Sequence, residues 1–125
     1  MRLALLNDCL ALMEHTAYLA DKVPKKWRLW LAEPLSRELG GVCHNLAFAN
    51  QENLKIREGR ARRIRLQNQA LAGLTVADNL MALAVQMKAL SPKQLDSWSK
   101  KLSGLRARIL GWIKSDLEQI EKMTH

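Results

Sequence analysis

"SPKQLDSWSKKLSGLRARILGWIKSDLEQI", residues 91–120, decides the fold. Leu95, Trp98, Leu102, Leu105, Ile109 and Trp112 recur at alternating spacings of 3 and 4, and Ile113, Leu117 and Ile120 continue the stripe. That period belongs to one face of an α-helix packed on a core. Ser91 is a good N-cap, and Pro92 occupies the first helical position, where its missing N–H costs nothing. On the other side, Ser97, Gly104, Gly111 and Ser115 form a row of small residues. Glycine is a poor choice for an exposed helix, so this row predicts the close approach of another helix.

Working back toward the N-terminus, the same period recurs three times and β-branched alternation is absent. A third helix carries Leu66, Ala70, Ala77, Leu80, Ala84 and Met87 on one face. "NQENLKI", 50–56, connects it to a second helix, whose apolar row runs Trp27, Leu31, Leu35, Leu39, Val42, Leu46 and Ala49. Pro34 falls inside that row and predicts a kink, or the point where regular helix begins. Gly40-Gly41 in mid-helix weakens the helix by roughly 1 kcal/mol per glycine relative to Ala, which predicts a neighbouring backbone close by.

The first helix carries Leu3, Leu6, Leu10, Met13, Ala17 and Ala20, and a second row, Leu5, Leu12 and Leu19, broadens its stripe. It should stop near Lys22, because Pro24 disfavours helical geometry at Val23. Asp8, Glu14 and His15 interrupt the apolar opening, so it reads as amphipathic helix and not as a signal peptide. Four amphipathic helices with short connections predict an all-α, up-down-up-down antiparallel four-helix bundle in one domain, 1–125.

Chemistry-bearing constellations are sparse. The chain has no Gly-rich phosphate loop, no His-Glu-x-x-His and no nucleophile elbow. No Glu is followed three residues later by His, as the di-iron bundles require. His15, His44 and His125 are scattered; Cys9, His15, Cys43 and His44 match no common zinc spacing. The expectation is a protein with no catalytic residues, no metal and no cofactor. Cys9 and Cys43 lie far apart in apolar surroundings and read as reduced, buried thiols of a cytoplasmic protein. No apolar run approaches the length of about 18 residues that a membrane-spanning helix needs.

Charge is the distinctive property. Twenty Lys and Arg against 12 Asp and Glu leave +8, a balance that favours polyanionic partners. "REGRARRIRLQ", 57–67, places Arg57, Arg60, Arg62, Arg63 and Arg65 within nine positions, with Glu58 as its only acid. On a helical wheel Arg57, Arg60 and Arg65 point away from the Leu66/Ala70/Ala77 face, while Arg62 and Arg63 flank it. Two readings stay open: pairing with acids elsewhere in the chain or in another subunit, or a grip on phosphates, which guanidinium forks suit. "PKKWRLW", 24–30, is a second basic group: Lys25, Lys26 and Arg28 beside Trp27 and Trp30. Its composition fits base stacking and phosphate contact, and equally an aromatic anchor at a bundle end. Trp98 and Trp112 lie in the last helix's apolar row and read as core.

The C-terminal third resembles a known family. "LSPKQLDSWSKKLSGLRARILGWIKS", 90–115, is similar to the accessory variability protein (Avd) of diversity-generating retroelements, through Ser91-Pro92-Lys93-Gln94 at the helix start and Leu110-Gly111-Trp112-Ile113-Lys114 near its close. "RLQNQALAGL", 65–74, and the Pro24-Lys25-Lys26 connection also resemble family features. The resemblance implies a basic four-helix bundle assembled as a homopentamer, without catalytic activity. Its implied partners are a reverse transcriptase and a template RNA, in a complex that performs mutagenic cDNA synthesis. "VADNLMALAVQM", 76–87, departs from the family in having Asp78 and Ala82 where arginines are expected; the positive charge concentrates at 57–65 instead. Candidate RNA or polymerase contacts are therefore Arg57, Arg60, Arg62, Arg63 and Arg65, with Lys25, Lys26 and Arg28. Candidate subunit contacts are Ser97, Gly104, Gly111 and Ser115, with Leu5, Leu12 and Leu19. The rival expectations are a standalone RNA-associated bundle of the kind encoded in ribosomal RNA intervening sequences, and a protein-interaction adaptor whose arginines meet an acidic partner.

Overall fold

The computed structural model describes residues 3–124. His125 and the side chain of Leu3, both named above, lie outside the described residues. Four helices account for nearly all of the chain: α1 (Leu3–Ala20), α2 (Glu33–Gln51), α3 (Arg57–Gln86) and α4 (Pro92–Thr124). Side-chain pairs fix their directions. Asp8 meets Arg108 and Thr16 meets Trp98, so α1 and α4 are antiparallel. Arg63 meets Asp116 and Thr75 meets Arg106, so α3 and α4 are antiparallel as well. Cys9 joins Cys43 between α1 and α2, and Gly73 of α3 abuts Val42 of α2. The fold is the expected all-α four-helix bundle, with α1 and α4 closing the ring.

The core is built from the stripes read above on α2, α3 and α4, except that Leu117 of α4 is exposed, and from a different row of α1. Trp98, Leu102, Leu105 and Ile109 of α4 are fully buried, as are Leu39, Val42 and Leu46 of α2. On α3 the buried row is Ala70, Gly73, Leu74, Ala77, Met81 and Ala84. Its small residues let α2 come close: a Cβ on Gly73 would stand 2.7 Å from Val42 Cγ2. The expectation of a close approach at Gly40-Gly41 is therefore corrected, because nothing lies within 4 Å of a Cβ built on either. Trp98 keeps its indole N–H satisfied inside the core by donating to Thr16 Oγ1 at 2.8 Å. The Thr16 hydroxyl in turn donates to the Leu12 carbonyl.

The start and stop signals act as their chemistry dictates. Ser91 Oγ accepts from the Gln94 N–H at 3.2 Å, and Gln94 Oε1 accepts from the Ser91 N–H at 2.8 Å, a reciprocal capping box. Upstream, α3 ends through Lys88, the only non-glycine residue with positive φ (63°) among those described. The Ala89 N–H then reaches back to the Ala84 carbonyl at 2.8 Å, the six-to-one bond of a Schellman stop. Before α2, the chain makes a 3₁₀ turn over Lys25–Trp27 and a π-helical turn over Arg28–Ala32. The Glu33 N–H bonds to the Arg28 carbonyl, and Pro34, in the first turn of α2, has no N–H to continue a tighter ladder. Regular α-helix begins at Glu33, so of the two alternatives offered for Pro34 it marks where the regular helix starts.

Two expectations about α1 and the cysteines are overturned. Leu5, Leu12 and Leu19, assigned to subunit contact, are buried in the protomer's own core with Cys9 and Val23. The outward apolar residues of α1 belong to the other row; Leu10 is 51% exposed. Asn7, Glu14 and Asp21 mark the reason: at about 100° per residue they lie opposite Leu5, Leu12 and Leu19, so the polar row points away from the core side. Cys9 and Cys43 are not free thiols but a disulfide between α1 and α2, with Cα atoms 6.2 Å apart. Each sits on the inner side of its helix, and adjacent antiparallel helices bring the two to one level. Among the described residues, no helix is long and apolar enough to cross a membrane.

Candidate nucleic-acid interface

The bundle has two unlike ends. One carries the α2–α3 connection and the first turns of α3, where the arginines cluster. The other carries the α1–α2 and α3–α4 connections.

At the arginine end, residues 52–56 form a tight link. Asn53 Oδ1 accepts from the Lys55 N–H at 2.9 Å, and Leu54 is buried. Gly59 is required here, since a Cβ would stand 2.6 Å from the Asn53 carbonyl oxygen. That close approach brings Glu52 against the first turns of α3, and it divides the five arginines into two groups.

Arg62 and Arg63 are committed within the chain. Arg62 donates to both Glu52 oxygens, at 2.9 and 3.1 Å, on the surface. Those hydrogen bonds hold the Glu52 carboxyl below its ordinary value and raise the guanidinium's. Arg63 reaches inward: its side chain is 15% exposed, and it grips Asp116, 2% exposed, with a bidentate pair at 2.7 and 2.8 Å. Its third nitrogen donates to the Glu52 carbonyl at 3.2 Å, and the guanidinium lies 4.9 Å from the centroid of the Trp112 ring. Gln67 Nε2 donates to the same carboxylate at 2.8 Å. Asp116, Arg63 and Gln67 together form a buried polar clamp between α3 and α4. The placement of Arg63 among surface nucleic-acid contacts is therefore corrected: its charge is neutralised inside the protein.

Arg57, Arg60 and Arg65 remain. Among the described residues none of the three has a carboxylate within 4 Å. Arg57 and Arg65 are exposed and Arg60 is partly so, with one guanidinium nitrogen 3.9 Å from Met123 Sδ. They are a fixed cationic surface held on a rigid helix.

At the other end, Lys25, Lys26 and Arg28 are all exposed. Trp27 packs partly against the core, and Lys26 Nζ lies 5.4 Å from its ring centroid. Trp30 does not anchor anything: it is 71% exposed.

In the small-residue row of α4, Ser97, Gly104 and Gly111 are exposed and Ser115 is half-buried. Among the described residues, nothing outside the helix's own backbone lies within 4 Å of a Cβ built on Gly104 or Gly111. The row faces outward, uncovered within the protomer. Among the described residues, no group of three or more His, Cys, Asp or Glu side chains is placed to hold a metal ion.

No family model matches the chain, and no curated protein matches it. Among solved structures, a protein of unknown function from the S23 ribosomal protein family of Bacteroides thetaiotaomicron superposes with a TM-score of 0.76. The chain shares that protein's fold. The match covers 88% of this chain and 98% of the other, at 16% sequence identity. It establishes the bundle architecture.

Sequence reasoning missed Asp116 and Gln67. The signal for Asp116 was present: 98, 102, 105, 109 and 112 lead by the same alternation to 116, so an acid stands on the core row. An acid there demands a buried cation. Arg63, flanking the core face of α3, is the cation that meets it.

Proposed function

We propose that this chain is a non-enzymatic, cytoplasmic RNA-binding bundle that serves as the accessory subunit of a diversity-generating retroelement, engaging its reverse transcriptase and template RNA. The observation that carries the reading is the trio Arg57, Arg60 and Arg65: exposed or partly exposed arginines on one rigid end, with no carboxylate within 4 Å among the described residues. Unpaired guanidiniums repel one another and cost stability unless a polyanion meets them. Lys25, Lys26 and Arg28 form the second basic group of the same reading. Homopentameric assembly would repeat each group five times around one axis, giving steep salt dependence and little sequence preference. The outward face of α1 at Leu10 and Ala17, and the open row at Gly104 and Gly111, are the surfaces offered for subunit contact.

The decisive experiment is co-purification with the reverse transcriptase and template RNA that this reading calls for, followed by cDNA synthesis. Replacing Arg57, Arg60 and Arg65 with Ala is expected to leave helicity and oligomer size unchanged and to abolish synthesis. Wild-type synthesis by that variant contradicts the proposal. A standalone RNA-associated bundle of the ribosomal RNA intervening-sequence type is the second reading, favoured by the family name of the structural neighbour. RNA binding without any reverse-transcriptase partner would support it over the first.

A further inference from the structure

The connection end holds features that the arginine trio does not explain. Lys22, Lys25, Lys26 and Arg28 come from the α1–α2 connection, Lys88 from the α3–α4 connection and Lys93 from the first turn of α4. Among the described residues, none of these six cations has a carboxylate within 4 Å. An open groove at this end is lined by Lys22 of the α1–α2 connection and by Lys88, Leu90, Ser91, Pro92 and Gln94. Lys22 Nζ lies 4.7 Å from the Tyr18 ring centroid. Beyond Lys25 and Lys26, the π-helical turn projects two apolar side chains into solvent, Leu29 at 67% and Trp30 at 71% exposed.

We infer that this end is a second binding site, distinct from the arginine end, for a single-stranded segment of RNA: its phosphates run along the groove between Lys22 and Lys88, and an unpaired base stacks on the exposed indole of Trp30. The inference rests on the RNA-binding reading above and adds the strandedness of the ligand and the residue that senses it.

Three physical points select this ligand. Six exposed cations with no carboxylate within 4 Å among the described residues favour a polyanion, so an apolar peptide gains too little here. A single strand also presents flat, apolar base faces, which stack on an exposed aromatic ring; a duplex hides those faces inside its own stack, so Trp30 gains nothing from one. An anionic bilayer would use the charges and the Trp, but it is a flat surface that cannot enter a groove between two lysines, and a five-residue turn lacks the long amphipathic face that interfacial binding uses. The two sites are separated by the length of α3, whose 30 residues span about 45 Å. One template strand would therefore be held at two points per protomer.

The test uses purified full-length protein and a short unstructured oligoadenylate, with no polymerase present. Trp30 is the one tryptophan here that is largely open to solvent, since Trp98 and Trp112 are buried and Trp27 is partly so. Binding is expected to quench its fluorescence without a blue shift. Trp30→Ala, at an exposed site that leaves the fold intact, should weaken the single strand by about tenfold or more, while Trp30→Phe keeps most of the affinity. Lys22→Ala with Lys88→Ala should weaken binding further and flatten its salt dependence. A duplex of equal length should be indifferent to Trp30→Ala. Equal affinity of wild type and Trp30→Ala for the single strand overturns the inference. So does a blue shift with vesicles of phosphatidylserine and phosphatidylcholine at a concentration where the oligonucleotide causes no quench. These outcomes are separable from the accessory-subunit reading, which is judged by cDNA synthesis in the variant lacking Arg57, Arg60 and Arg65.

Discussion

Replacing Arg63 with Ala should damage the fold far more than replacing its neighbour Arg62, although the sequence presents the two as equals. Arg62 pairs with Glu52 on the surface, where an ion pair screened by water adds little to stability. Arg63 is different, because its removal strands the carboxylate of Asp116, 2% exposed, with only the Gln67 amide as a donor. Breaking a buried pair by deleting one partner costs about 3–5 kcal/mol. The 15% exposure of Arg63 lets some water reach the gap, so the lower end, about 3 kcal/mol, is expected. For a domain of this size that is a large share of a stability of roughly 5–15 kcal/mol, and about 10 °C in Tm. Urea titration followed by far-UV circular dichroism measures it for Arg63→Ala and Arg62→Ala side by side. Replacing the charged pair of the clamp, Arg63→Met with Asp116→Leu, should recover part of the loss, since no charge is then left buried although the Gln67 amide loses its acceptor. A loss for Arg63→Ala within about 1 kcal/mol of that for Arg62→Ala would refute the clamp as described.

Other perturbations have equally definite outcomes. Lys88→Gly should raise stability by up to about 1 kcal/mol, because glycine adopts the left-handed conformation at the α3 stop without the penalty a Cβ brings; thermal unfolding measures this. Gly73→Ala should cost about 1–3 kcal/mol by pushing on Val42, whereas Gly41→Ala, with open space around it, should stabilise α2 by roughly 0.5–1 kcal/mol. Reducing the Cys9–Cys43 bond, which closes a loop of sequence separation 34, should cost about 3–4 kcal/mol in urea titrations with and without reductant. The cytoplasmic glutathione pool would oppose this bond, so the proposed function requires a fold that survives its loss. His15 is held below its ordinary value of 6.5 by burial and by Lys101. The folded state then binds fewer protons, so its contribution is present above pH 6.5 and is lost as pH falls below it. His15→Gln should flatten the stability–pH curve in that window.

Much of the fold was legible because helical period, capping and proline placement are local signals. Ser91-Pro92 with Gln94, the α4 stripe and the 50–56 connection needed no tertiary information. Partner choice needed it. Leu5, Leu12 and Leu19 compete with a second apolar row on α1, and only the opposite row of Asn7, Glu14 and Asp21 distinguishes the core side. Cys9 and Cys43 are distant in sequence, and their meeting depends on the relative level of two helices, which periodicity leaves open. Gly73 and Gly40-Gly41 are alike as letters, but only Gly73 meets a neighbour. The arginine cluster was visible as a cluster; its division into two paired and three unpaired side chains follows from where the 52–56 link puts Glu52 and from the acid at 116.

That division is the centre of the account, and salt dependence of RNA binding tests it directly. Each phosphate neutralised on a single strand contributes about 0.7 to the slope of log affinity against log salt. Removing Arg57, Arg60 and Arg65 together should therefore lower the slope by about 2, with unchanged helicity. Arg62→Ala, by contrast, should leave the slope as it is. An undiminished slope in the triple variant, or an equal drop from Arg62→Ala, would contradict the assignment of the unpaired arginines as the phosphate-binding surface.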